Sequence, residues 1–195
     1  MKYSPENCRH LCVDMQRMFA DDTDWYVPWM DRIRVPVAEL AAARPQETVF
    51  TRFIPPHDPS DAHGAWRRYY EKWQSMTRRS LGDEPIQLLP ELQRLVPPAT
   101  VLDKRIYSPW LDGRLDHFLR RQSVATVIVS GGETDVCVLA TVLGAVDLGY
   151  NVVLIRDAIC SSLDPTHDAS LELLTKRFSA QVDVATIDEV FDWWR

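Results

Sequence analysis

No stretch of this 195-residue sequence approaches the ~18 consecutive apolar residues of a membrane-spanning helix, so no membrane partner is expected. The opening segment MKYSPENCRHLCVD has neither a long apolar core nor a small-residue cleavage site, and does not read as a secretory signal. The four cysteines (Cys8, Cys12, Cys137, Cys160) form no C-x-x-C pair and no regular framework. That argues against a disulfide scaffold and predicts free thiols in a cytoplasmic protein. Positive charge is scarce. The net charge is −6, and the pairs Arg67-Arg68, Arg78-Arg79 and Arg120-Arg121 are scattered, as solvated helix faces would be. Nucleic acid, which needs clustered Lys and Arg, is not an expected partner. No G-x-G-x-x-G follows the first apolar run, only DMQRMF, and there is no P-loop lysine motif, so a nucleotide-binding reading is weak. Repeats, low-complexity tracts and linkers are also missing, and the length fits one domain over 1–195.

What is present is an alternation. Short apolar runs rich in β-branched residues, at 10–15, 48–54, 100–104, 125–131, 151–158 and 182–187, read as six strands. ATVIVSG (125–131) is nearly all apolar, as a strand covered on both faces should be. Helical patterns lie between them. Leu115, Phe118 and Leu119 share one face of 112–122, and 133–150 is apolar almost all round. The segment 164–181 opens with Asp164 as N-cap and Pro165 at the first helical position. Residues 29–44 contain Pro36, which predicts a kink or break, and 63–79 carries Trp66, Tyr69, Tyr70 and Trp73. Strands alternating with helices over the whole length predict an α/β protein. It is read as a three-layer α/β/α sandwich around a central, mostly parallel six-stranded sheet.

Parallel sheets present their sites beyond the carboxyl ends of the strands. The first strand ends in Asp14, the third in Lys104, and the fourth in Gly131-Gly132 with Cys137 following. Taken singly, each has an ordinary role: a turn aspartate, a solvated strand-end lysine, a small apolar filler. Together they are an acid, an amine and a thiol on one sheet edge. A thiol attacks as thiolate, and a cation or a helix N-terminus favours that form. Lys104 supplies the cation, Asp14 a proton acceptor, and the amides of the turn 131–137 a cradle for an oxyanion.

LCVDMQRMF (11–19), LDKRIYSPW (102–110) and GGETDVCVLATVLGAVDLGYNVVLIRDAICSS (131–162) together resemble the isochorismatase-like cysteine hydrolases. That superfamily includes nicotinamidases, N-carbamoylsarcosine amidases, and ureidoacrylate and biuret amidohydrolases. The resemblance implies a six-stranded α/β fold with Asp14, Lys104 and Cys137 as a catalytic triad. It implies a cis peptide between Gly132 and Glu133, with the amides of Glu133 and Cys137 turned to the oxyanion. The implied reaction is hydrolysis of an amide or ureide C–N bond of a small molecule through a Cys137 thioester. It also implies a homo-oligomer, dimer or tetramer.

The sequence departs from nicotinamidases, which carry an Asp-x-His pair after the second strand and a later His around a metal. Here TRFIPPH puts Phe53 and Pro55 at that pair. His57, Asp58, Asp61 and His63 follow, and read as a polar, proline-broken loop with a helix cap rather than a metal site; no metal or other cofactor is expected. Glu133 stands where many relatives have a small or apolar residue. It either recognises a donor on the substrate or bonds a neighbouring backbone group. Phe19, Trp66, Tyr107, Trp110 and Glu133 are the candidate pocket residues. His167 and Asp168 read as capping or packing residues, Cys8, Cys12 and Cys160 as structural, and FDWWR (191–195) as helix-end packing or an oligomer contact. Two alternatives stay open: a vinyl ether hydrolase of the isochorismatase type, which needs no cysteine, and a non-catalytic binding domain on the same fold.

Overall fold

The computed structural model describes residues 3–194. All six expected strands form, as Cys8–Val13 (β1), Thr48–Phe53 (β2), Thr100–Lys104 (β3), Thr126–Gly132 (β4), Asn151–Cys160 (β5) and Val182–Ala185 (β6). They make one sheet in the order β3-β2-β1-β4-β5-β6, with every neighbouring pair parallel. The chain winds outward from β1 in one direction and from β4 in the other. The sheet therefore has its topological switch point between β1 and β4, where a crevice opens at the carboxyl ends.

Side-chain alternation separates two cores, one on each face of the sheet. Leu11, Val13, Val127, Val129, Val152 and Leu154 pack with Leu115, Leu119, Val142 and Leu174 from helices 114–121, 139–147 and 164–177. On the opposite face Cys8, Cys12, Ile128, Val153 and Ile155 pack with Ile33, Val37, Leu40, Val190 and Trp194 from helices 30–43 and 187–194. His10 is fully buried on this second face, bonded to Ser130 Oγ at 2.7 Å and set edge-on to Trp194. Trp194 is thus helix-end packing; Arg195, the last residue of FDWWR, lies outside the described residues. No helix among the described residues is long and apolar enough to cross a membrane.

Three local expectations are corrected. Of the kink or break expected at Pro36, the break does not occur: helix Met30–Ala43 is continuous through it. The Arg32 carbonyl that Pro36 leaves without a helical donor belongs to an exposed residue, where water can serve it, and five buried residues hold the helix to the sheet. The segment 63–79 is not one helix. It is Ala65–Lys72, a tight turn at Gln74–Met76, and a short helix Arg78–Leu81; the break at Trp73 lets Met76 and Thr77 enter the interior. The helix at 164–177 is capped by Leu163 rather than Asp164, so Asp164 and Pro165 are its first two residues.

Candidate active site

The three candidate groups come from three strand ends, and each is carried inward by local structure. Asp14 follows β1 with φ 49°, a left-handed backbone uncommon outside glycine, and its carbonyl accepts from the Gln16 amide at 2.8 Å to close a tight turn. The turn leaves the carboxylate 1% exposed. Thr51, on the adjacent β2, locks it: the Thr51 hydroxyl donates to Asp14 Oδ1 at 2.6 Å and accepts from the Asp14 amide at 3.2 Å. Lys104 ends β3, two strands away. Neighbouring strands lie about 4.8 Å apart, so only a long side chain bridges that distance. It crosses over the Phe53 ring, with Nζ 5.1 Å from the ring centroid.

Cys137 sits in a wide helical turn, Thr134–Val138, that opens the helix Leu139–Asp147. The preceding peptide, Gly132–Glu133, is cis. Gly131 has φ +106°, and a Cβ there would fall 2.1 Å from the Val13 carbonyl oxygen, so β1 and β4 approach this closely only with glycine at 131. Beyond it, the Glu133 carbonyl accepts from the amides of Val136 and Val138, at 3.1 and 3.0 Å. The Thr134 hydroxyl donates to the Cys160 carbonyl at 3.1 Å and meets His167 Nδ1 at 2.9 Å. His167 is therefore a packing residue that ties the helix 164–177 to the Cys137 turn.

Lys104 Nζ lies 2.6 Å from Asp14 Oδ2, 3.4 Å from Cys137 Sγ and 3.2 Å from the Ile106 carbonyl, so each of its three protons has an acceptor. Burial pushes the Lys104 ammonium toward neutrality, but the charge of Asp14, together with Cys137, outweighs this and holds its pKa up. Burial also pushes the Cys137 thiol well above its usual value; the Lys104 cation pulls it back, and Asp14 pushes it up again. Burial and the Lys104 cation thus act on the Cys137 thiol in opposite senses, with burial the larger. Cys8, Cys12 and Cys160 are buried thiols whose pKa burial also raises.

Cys137 opens onto a cavity of about 360 Å³. Of the five pocket candidates, Phe19, Tyr107 and Glu133 line it. Trp66 stands behind the wall, its ring 4.7 Å from Tyr107. Trp110 is not a pocket residue. It lies in the core over Gly144, where a Cβ would fall 2.3 Å from its ring, and its indole N–H donates to the Thr141 carbonyl at 2.8 Å. The sequence reading missed Trp25, Phe53 and Ser162 in the lining and Thr51 behind Asp14. Trp25 lies in an irregular stretch before the first long helix, with no motif to mark it. Glu133 does two things: it faces the cavity, and its Oε1 accepts from the Ser162 amide at 3.1 Å. Burial raises its pKa, the Ser162 hydrogen bonds oppose the rise, and Asp135 adds to it.

The loop after β2 is a capping structure. Asp58 accepts from the Ser60 amide, Asp61 from the Asp58 amide, both at 3.0 Å, and Asp58 pairs with Arg79. Among the described residues, no three His, Cys, Asp or Glu side chains gather as a metal site. A larger cavity of about 610 Å³ lies beyond Arg105, lined by Arg78, Asp112 and Arg114 but not by Cys137; Arg78 and Arg114 already pair with Asp83 and Asp112.

With this geometry in place, three comparisons fix the relationship to known proteins. The model of the isochorismatase domain family matches residues 9–186. The ureidoacrylate amidohydrolase of Cronobacter turicensis is 27% identical over 216 aligned positions, covering 99% of this chain and 86% of that one. An isochorismatase family protein of Bacillus subtilis is 32% identical over 74 residues, 38% of this chain and only 39% of that protein. Among solved structures, a cysteine hydrolase from Pseudomonas syringae pv. phaseolicola superposes with a TM-score of 0.85 at 28% identity, over 100% of this chain and 95% of that one.

Proposed function

The chain belongs to the isochorismatase domain family, and from that premise we propose that it is a cysteine hydrolase that cleaves the C–N bond of a small amide or ureide without a metal. The observation that carries the proposal is a single contact network, in which Lys104 Nζ touches both Asp14 Oδ2 and Cys137 Sγ. The Cys137 thiol proton passes to Asp14 as Sγ attacks the carbonyl carbon. Lys104 stabilises the thiolate character that develops, and the amides of Glu133 and Cys137 receive the oxyanion. Collapse of the tetrahedral intermediate breaks the C–N bond. Asp14 returns the proton to the leaving nitrogen, and ammonia or an amine departs. Asp14 then takes a proton from water, which attacks the thioester, releases the acid and restores the thiol.

The test is an ammonia-release screen over small amides and ureides, run in parallel with Cys137→Ala. Turnover by the native protein that vanishes in the variant supports the proposal. Ammonia release that survives in Cys137→Ala removes the thioester step. Pyruvate release from a vinyl ether substrate, retained in the variant, would replace it with the isochorismatase-type reaction.

A further inference from the structure

The lining of the Cys137 cavity has an uneven chemistry. Phe19, Trp25, Tyr69, Trp73 and Tyr107 contribute aromatic side chains, and Trp25 and Phe19 lie nearly parallel, 12° apart with centroids at 6.1 Å. Trp25 also leans on Tyr69 at 5.8 Å, so this part of the lining is one connected aromatic cluster. The charged residues among the lining are both acids, Asp24 and Glu133. Lys104, which reaches Cys137 from behind the lining, is taken up by Asp14. Among the described residues no lysine, arginine or histidine pairs with the Glu133 carboxylate, whose hydrogen-bond donor is Ser162.

Burying a carboxylate without a counter-charge is costly, and the Ser162 amide gives Glu133 a hydrogen bond but no charge. Aromatic faces combined with carboxylates are the means by which proteins hold alkylammonium groups: the rings attract the cation through their quadrupoles, and the acid supplies the ion pair. Resting on the amidohydrolase reading for the chemistry at Cys137, we propose that the substrate carries a positive charge on its non-reacting end. That end is an ammonium or quaternary ammonium group, seated against Trp25 and Tyr69 with Glu133 as its counter-ion. Burial raises the energy of the Glu133 carboxylate, and a bound cation relieves it. Asp24, at the exposed side of the cavity and held by the Ser75 hydroxyl, extends the negative field toward solvent.

Choline and its uncharged carbon isostere, 3,3-dimethylbutan-1-ol, have nearly the same shape and differ in charge. Calorimetric titration of the full chain with each isolates the charge term without requiring turnover. Choline should bind about tenfold more tightly than the isostere, the scale of a partly desolvated cation–π contact with an ion pair. In Glu133→Gln, which keeps an oxygen acceptor for the Ser162 amide, that ratio should collapse toward unity. Asp24→Asn should reduce it less. Choline should also slow iodoacetamide labelling of Cys137, which places it in this cavity. Equal binding of the two probes, tighter binding of the isostere, or no binding of either at tens of millimolar overturns the inference. So does a ratio unchanged in Glu133→Gln. The ammonia screen judges the chemistry separately: charge-selective binding without ammonia release would sink the amidohydrolase reading and leave this one standing.

Discussion

At the scale of single residues, the site is an ion pair with a thiol laid against it, and its members differ in what they hold up. Lys104 and Asp14 are buried to 5% and 1% exposure, and each relies on the other. Lys104→Met leaves a carboxylate in the interior with Thr51 as its remaining side-chain donor, and should cost about 3–5 kcal/mol of stability along with the activity. Cys137→Ala leaves the pair intact and should cost at most about 1–2 kcal/mol while ending turnover. Urea unfolding of the two variants beside the ammonia assay checks this; equal stability losses would mean that the pair carries no structural weight. All three residues were legible as strand-end chemistry, because residue type and position along the chain suffice for that. Thr51 was not, because its role arises only once β2 lies beside β1.

At the scale of elements, the strands were readable because each is a short run of apolar residues bounded by turns. The helices were less so. Pro36 predicts a kink or a break, yet helix 30–43 is not broken, since packing of one face outweighs a single missing hydrogen bond. From the aromatic stripe at 66–73 only Trp66 reads as a pocket candidate, but the helix points Tyr70 into the core and Tyr69 to the cavity, with Trp66 behind. β1 approaches the end of β4 closely at Gly131. Gly131→Ala puts a methyl group 2.1 Å from the Val13 carbonyl on a left-handed backbone. It should destabilise by about 3 kcal/mol or more, since such strain alone costs about 1–3 kcal/mol before the clash is relieved. It should also impair turnover, because Gly131 sets the approach to the Cys137 turn. A variant as stable as the native chain in urea would contradict that placement of the two strands.

At the scale of the whole molecule, stability should depend on pH from both sides. Burial holds His10 neutral, with its pKa lowered to about 3. The unfolded chain takes up that proton below its ordinary value of about 6.5 while the folded chain does not. From pH 6.5 down to 4.5 this one group should remove about 2–3 kcal/mol. On the alkaline side, burial keeps Cys8 protonated to about 11 and raises Cys12, Cys137 and Cys160 as well. Above pH ~8.5 the unfolded chain loses thiol protons that the folded chain keeps, so stability falls again. Chemical unfolding across pH 4.5–10 should give a maximum near neutrality, and His10→Asn should flatten the acid limb. An acid limb unchanged in that variant would assign the loss to other groups.

The sequence by itself determined the sheet, its parallel sense, and the three groups at its edge. Those follow from local apolar pattern, from the order of elements, and from residue types whose chemistry is intrinsic. Only the tertiary structure decided which side chains wall the cavity, how Glu133 divides itself between Ser162 and the pocket, and which groups surround the Cys137 thiol. Each of these depends on atoms brought together from distant parts of the chain. Burial and field at a point in space are properties of that assembly, and no local stretch of sequence encodes them.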